Sequence, residues 1–136
     1  MTIQEYITDK GIKALVLSAT GNANMKPGDG ASREEQRWYR EAKHYKITLL
    51  FGDRSMKVPF SCGSACDKPD AATVLDCLCS DATCPDTFED FCSEYGYDTD
   101  SRRAERTFKA CLKSRDDLRE FLGDDFDVVV YEMEPM

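Results

Sequence analysis

The sequence predicts an α+β domain in which a small antiparallel β-sheet packs against a C-terminal helical half. Between residues 45 and 60, apolar and polar residues alternate, as they do in strands with one buried face. After residue 68 the apolar repeat lengthens to about 3.6 residues, the period of an amphipathic α-helix. The chain has 136 residues, enough for one hydrophobic core, so we expect residues 1–136 to form a single domain.

The N-terminal segment predicts a short helix followed by a strand. Thr2 and Glu5 have the spacing of a capping box, in which each side chain satisfies a free backbone N–H, and Gly11 supplies a helix stop. Residues 12–19 are mostly apolar and predict a strand. The Gly, Asn and Pro density of residues 20–32 predicts a long irregular loop after it.

Residues 44–60 predict a β-hairpin with a turn at residues 52–55. Pro59 has no backbone N–H to donate, so the second arm should lie at the edge of the sheet or end there. The apolar residues that alternate along the two arms are Tyr45, Ile47, Leu49, Phe51, Met56, Val58 and Phe60.

Capping residues and glycine stops predict three helices in the second half of the chain. The first follows Pro69, the second spans residues 87–96, and the third runs from residue 100 or 101 to Gly123. Residues 127–133 are rich in valine and predict a strand, with a frayed segment as the alternative.

The charge and composition of the chain are those of an acidic globular protein. Charged residues make up 32% of the chain, the net charge is −8 and the pI is near 4.7, so bare nucleic acid is an unfavourable partner. The N-terminus has no basic region and no long apolar run, and no 18 apolar residues stand together. We therefore expect a cytoplasmic protein without a signal peptide or membrane span.

Seven cysteines raise the question of a metal site, because lasting disulfides are uncommon in a reducing cytoplasm. Four of them form a C-x3-C pair and a C-x4-C pair, and both spacings occur in structural zinc sites. A helix from Asp70 to Cys79 rises about 14 Å, and the extended chain before it spans a similar distance, so the pairs can meet. We predict a structural zinc ion, with unliganded thiols as the alternative; the predicted ligands are Cys62, Cys66, Cys79 and Cys84.

The same spacing analysis assigns a different role to the remaining cysteines. Cys77, Cys92 and Cys111 lie on apolar helix faces and are predicted to be small buried residues. Four thiolates would leave no open coordination position for water, so the predicted zinc holds structure and does not activate water. His44, the single histidine, begins a strand outside any catalytic or metal signature, and we interpret it as an ordinary surface or strand residue. The sequence therefore predicts a protein that is not an enzyme.

Two kinds of charged segment remain. Four cations recur at helical spacing on one face of the third helix and form a basic stripe. Such a stripe could bind a phosphate or an acidic partner protein. The alternative interpretation is a solvated helix face whose charge neighbouring acidic residues neutralise. These cations are Arg102, Arg106, Lys109 and Lys113. Two acidic clusters have no obvious partner in the sequence, and they comprise Asp86, Glu89 and Asp90, and Asp124, Asp125 and Asp127.

Three segments resemble those of a widespread family of small phage and prophage proteins. They are VLDCLCSDA at residues 74–82, FEDFCSEYGYDTDSRRAERTFKAC at residues 88–111, and a preceding S-M-x-V-x-F strand at residues 55–60. The resemblance extends to Gly123 but carries no chemistry, since the family is mostly without assigned function. Cys77 matches a family cysteine, whereas the four predicted zinc ligands stand where relatives commonly have other residues. This departure suggests a metal site added in one branch.

A small acidic phage protein without a catalytic motif is similar in kind to anti-CRISPR proteins, among which zinc-containing inhibitors of the type II effector nuclease occur. An acidic globule is attracted to the Lys- and Arg-lined channels of such nucleases and can compete there with DNA. The resemblance implies a monomeric inhibitor of a CRISPR effector nuclease in the host bacterial cytoplasm, without direct nucleic-acid binding. The alternative is a zinc-stabilised phage accessory protein that binds nucleic acid or replication machinery through the basic stripe.

Overall fold

A computed structural model describes residues 1–19, 32–62 and 69–134. Three antiparallel strands, β1 (Lys13–Ala19), β2 (Lys43–Phe51) and β3 (Arg54–Cys62), form a sheet in the order β1-β2-β3. Gly52 takes a positive φ of 60° in the turn between β2 and β3, a conformation that favours glycine. The predicted hairpin is confirmed, and β3, which contains Pro59, is an edge strand of this sheet.

Five α-helices complete the described regular structure: α1 (Ile3–Lys10), α2 (Arg33–Glu41), α3 (Ala71–Ala82), α4 (Phe88–Tyr95) and α5 (Arg102–Leu122). The capping box on α1 is present, because the Thr2 side chain accepts from the Glu5 backbone N–H and Glu5 accepts from that of Thr2. A 3₁₀ turn (Gly123–Asp125) and a π-helical turn (Val128–Glu132) follow α5. Each predicted helix in the second half is confirmed, with N-caps at Asp70, Thr87 and Ser101.

One face of the sheet packs against the helices and forms the core. Ile47 and Leu49 of β2 and Val58 of β3 point to this inner face and are buried together with residues of α1, α3, α5 and the C-terminal turns. α4 packs on α5 through aromatic rings, with the Phe91 and Phe108 centroids 5.2 Å apart. The molecule is therefore α+β, with a three-stranded antiparallel sheet joined to helices by a shared core.

The C-terminal tail corrects one prediction. Residues 127–133 were expected to form a strand, but most of them form the π-helical turn (Val128–Glu132), with Val129 buried in the core and Phe126 beside it. Burial of these side chains outweighs the β-propensity of the valines, which depends on having a neighbouring strand. Only Glu134 pairs in a β-like way in the described tail, as its carbonyl accepts from the Ile3 N–H at 3.1 Å.

α2 was not predicted, since residues 33–41 are almost all charged or polar and include only Trp38 and Tyr39 as large apolar residues. Its local signals are the accumulation of Arg, Glu and Gln, which favour helix, and an ion pair from Arg37 to Glu41 at 3.2 Å, one turn apart. The predicted loop at residues 20–32 lies outside the described residues except for Ser32.

Candidate functional site

The predicted zinc ligand Cys79 lies in the hydrophobic core. It projects from α3 towards α1 and the C-terminal turns, where it lines a small cleft with Ile3, Val129 and Met133. Burial, reinforced by the nearby Asp76 carboxylate, raises the pKa of the Cys79 thiol to about 12. The thiol is therefore protonated at neutral pH in this environment, and a metal ion would have to displace that proton.

Cys84 is buried on another side of the molecule, beside α5. Cys84 lies near Cys111 on α5, and burial, followed by the influence of Cys84 and Asp81, raises the pKa of Cys111. The Arg115 guanidinium donates to the Cys84 carbonyl at 3.4 Å, which fixes this segment to α5. Cys79 and Cys84 thus face different partners.

Of the other two predicted ligands, only Cys62 is among the described residues. Cys62 is the last residue of β3, and Cys66 lies outside the described residues. Within residues 1–19, 32–62 and 69–134, no three His, Cys, Asp or Glu side chains come close enough to hold a metal ion. The four-cysteine zinc site remains a prediction. Of its four predicted ligands, the side-chain environment is described for Cys79 and Cys84.

The three cysteines predicted to be buried differ from one another. Cys92 is buried, with 2% of its surface exposed, as predicted. The prediction is wrong for Cys77, which is exposed, because α3 turns this position away from its buried face, and Cys111 is only half-buried. Cys77 and Cys111 line a groove of about 440 Å³ between β3, α3 and α5. Although the residue is exposed, the groove partly desolvates its thiol. This desolvation, and then the carboxylates of Asp76 and Asp81, raise the pKa of Cys77, which disfavours the nucleophilic thiolate.

His44 is on a strand as expected, but it is buried and not a surface residue. Its Nδ1 lies 2.7 Å from the Ser61 hydroxyl oxygen on the neighbouring strand. The two residues are directly opposite in the β2–β3 register, so the cross-strand pairing places this hydrogen bond.

The basic stripe on α5 is largely neutralised along the helix. Lys109 pairs with Glu105 at 3.0 Å, and Lys113 pairs with Asp117 at 2.8 Å, each one helical turn away. Their side chains are 71% and 78% exposed, so these pairs add little stability but lower the local positive charge. The arrangement favours the interpretation of a solvated helix face over a phosphate-binding one.

The negative charge of the protein is concentrated in one segment, which we call the acidic segment (residues 69–101). It contains nine of the 26 acidic residues of the chain and none of its 18 Lys and Arg residues. The rest of the chain holds 17 acidic and 18 basic residues and is close to neutral. The acidic segment builds α3 and α4, so the whole excess of negative charge lies on these two helices and their connections. A count of charges along the sequence could have found this segregation.

Within the acidic segment, α4 separates its apolar and acidic sides. Phe91 and Cys92 are buried, while Glu89, Asp90 and Glu94 are exposed. Asp90 and Glu94 stand four residues apart and so share one side of the helix. The result is an acidic ridge that is held in place by aromatic packing against α5.

Two members of the acidic clusters have partners that the sequence did not reveal. Asp86 accepts from the Arg115 guanidinium at 2.7 Å, and Arg115 has only 15% of its side chain exposed. Asp125 accepts from the Tyr6 hydroxyl at 2.9 Å. These two carboxylates therefore stabilise the fold, whereas Glu89, Asp90 and Glu94 remain exposed on α4.

Comparisons with protein-family models, with curated proteins and with solved structures find no match to this chain. In the described part of the chain, no helix is both long enough and apolar enough to cross a bilayer.

Proposed function

We propose that the chain is a phage-encoded anti-CRISPR inhibitor that binds a CRISPR effector nuclease of type II and blocks DNA loading or cleavage without turnover. The observation that carries the proposal is the segregation of charge, because nine carboxylates and no cations occupy the acidic segment. Nucleic-acid channels in such nucleases present Lys and Arg to a polyanion, and a fixed array of carboxylates is complementary to them.

The positions of the acidic residues on α4 also favour a binding role. Asp90 and Glu94 repel each other across one helical turn, and Glu94 lies in the last turn, where a negative charge opposes the helix dipole. Both features disfavour the isolated helix. A Lys or Arg at position 94 would stabilise the helix more than Glu94 does. A carboxylate at this position instead favours binding to a cationic partner surface.

The proposal includes a structural zinc held by Cys62, Cys66, Cys79 and Cys84, a monomeric state, and action in the host bacterial cytoplasm. The resemblance of residues 55–60, 74–82 and 88–111 to phage proteins directs the choice of partner towards a bacterial defence nuclease. The accessory-protein alternative relies on the basic stripe, and the pairing of Lys109 and Lys113 with acidic neighbours leaves that stripe less charge to offer a phosphate backbone.

The test is a titration of the purified protein into guide-loaded type II effector nucleases, with cleavage of a DNA target as the readout. We expect the activity of one nuclease in the panel to fall in proportion to the added protein, with a sharp end point near equimolar amounts. The inhibition should weaken as the salt concentration rises. Failure to inhibit any nuclease at large molar excess, or inactivation of an excess of nuclease by substoichiometric protein, would contradict the proposal. A salt-dependent shift of free DNA by the protein alone would instead support the accessory-protein alternative.

A further inference from the structure

The outer face of the sheet, opposite the core, has a charge and an exposure unlike the rest of the molecule. Leu15 and Leu17 of β1 point to this face and are 58% and 69% exposed. Every charged residue on the outer face of the described strands is a lysine, namely Lys13, Lys46 and Lys57. In a chain of net charge −8, this combination marks an apolar and cationic surface, which we call the outer sheet face.

The strand register brings these residues together. Leu17 is directly opposite Lys46 on β2, and Leu15 is opposite Thr48, which in turn is opposite Lys57 on β3. Side chains opposite each other on antiparallel strands lie about 5 Å apart. The three lysines have no ion-pair partner within the described residues, so their charge is available to a ligand.

The two edges of the sheet are not equivalent. β3 carries Pro59 and Lys57, features that discourage the addition of another strand. β1 is the other edge in the described sheet, and from residue 14 to residue 19 it has no proline and no charge. Its backbone edge, with two exposed leucines beside it, is suited to accept an extended chain by strand addition.

We propose that β1 and the outer sheet face bind an extended segment of a partner protein in which every second side chain, on the face that continues the outer sheet face, is acidic or apolar by turns. The added strand would continue the sheet, its apolar side chains would cover Leu15 and Leu17, and its carboxylates would meet Lys13 and Lys46. Nucleic acid is a poorer fit, because the described outer face has no exposed aromatic ring or Arg on which a base can stack, and its one aromatic side chain, His44, is buried. A second copy of the chain is also a poorer fit, because pairing two β1 edges would bring lysine-lined faces together.

The probe is a fluorescein-labelled peptide with capped ends that repeats Glu-Ser-Val-Ser, so that Glu and Val share one face of the strand. Its binding to the full chain is measured by fluorescence anisotropy. We expect saturable binding that weakens with salt and that is lost when alternate peptide amides are N-methylated, since strand addition uses the backbone. The double variant Lys13→Glu and Lys46→Glu should bind about tenfold more weakly, and Leu17→Ser should bind several-fold more weakly. The variant Lys109→Glu with Lys113→Glu, which changes net charge equally on α5, should bind as the unaltered chain does.

Circular dichroism melting of each variant keeps the test interpretable, because substitutions at these exposed positions should leave the thermal midpoint close to that of the unaltered chain. Absence of saturable binding at about 1 mM peptide would overturn the proposal. Equal binding of a peptide that repeats Lys-Ser-Val-Ser would overturn it as well. Two further results would assign the face differently: tight binding of oligo-dT that the Lys13→Glu and Lys46→Glu variant abolishes, or a dimer in sedimentation that Leu17→Ser dissociates. The inhibition assay uses the acidic segment and is independent of all these outcomes.

Discussion

Reversal of one charge on α4 should stabilise the protein and at the same time impair its proposed function. In Glu94→Lys, the repulsion between Asp90 and residue 94 becomes an attraction across one helical turn, and the new cation lies in the last turn of the helix. Each of these changes favours the folded helix. The same change removes a carboxylate from the surface that we propose to contact a cationic channel.

The expected gain in stability of Glu94→Lys follows from the geometry of α4. Relief of the repulsion and gain of an exposed Asp–Lys pair contribute a few tenths of a kcal/mol each, and the dipole contributes a similar amount or more. The sum is about 1 kcal/mol in the free energy of unfolding, which corresponds to a rise of about 3 °C in the melting temperature for a domain of this size. Reversal of one interfacial charge should raise the concentration needed for half-inhibition by about tenfold.

α1 supplies a matched control. Asp9 is exposed in the last turn of that helix and stands four residues after Glu5, so Asp9→Lys makes the same electrostatic change outside the acidic segment. We expect both variants to melt at a higher temperature in calorimetry, and only Glu94→Lys to lose inhibition in the nuclease titration. If Glu94→Lys inhibits as well as the unaltered chain, α4 is not the contact surface. An equal loss in both variants would mean that net charge, and not the acidic ridge, governs inhibition.

Four other measurements address the cysteines and the core. Elemental analysis of untagged protein should find about one zinc ion per chain, and substitution of any predicted ligand by Ser should release the ion. A zinc content well under half an equivalent, with all thiols reactive in the folded state, would refute the site. Cys92→Ala should lower the free energy of unfolding by about 1 kcal/mol because Cys92 is buried, whereas Cys77→Ala at an exposed position should change it little in urea titrations. Tyr6→Phe removes the 2.9 Å hydrogen bond to Asp125 and should cost about 1 to 2 kcal/mol, and an unchanged urea midpoint would show that the bond contributes nothing. In metal-free protein the pKa of Cys79 is raised to about 12 in the folded state, so the unfolded chain releases this proton first as pH rises. The stability of the metal-free protein should therefore fall between about pH 9 and pH 12, and this part of the fall should disappear in Cys79→Ala.

Elements specified by neighbouring residues were predicted well. Thr2, Thr87 and Ser101 each accept a hydrogen bond from a backbone N–H three residues on, so their effect is confined to one helical turn. The β2–β3 hairpin likewise follows from alternation along two adjacent strands and a short turn between them. Such features need no information from distant parts of the chain.

Features set by distant contacts were not predicted. The tail at residues 127–133 has the composition of a strand, yet Val129 reaches the core only in the helical turn that the structure adopts. Cys77 was predicted to be buried, but it is Cys79, four residues after Leu75, that shares the buried face of α3 and meets α1 and the tail. Asp86 seemed unpartnered until the fold brought Arg115, 29 residues away, to 2.7 Å.

The sequence by itself determined the α+β class, the helix caps, the hairpin and the confinement of excess negative charge to residues 69–101, because each depends on composition or on spacings within a few residues. Only the tertiary structure decided which side of each element is exposed. Packing of α4 on α5 turns Glu89, Asp90 and Glu94 outward as one ridge, and burial of the inner sheet face leaves Leu15, Leu17 and the lysines on the opposite side. Burial is a property of the whole packed chain, so it sets which charges and apolar groups a partner can meet.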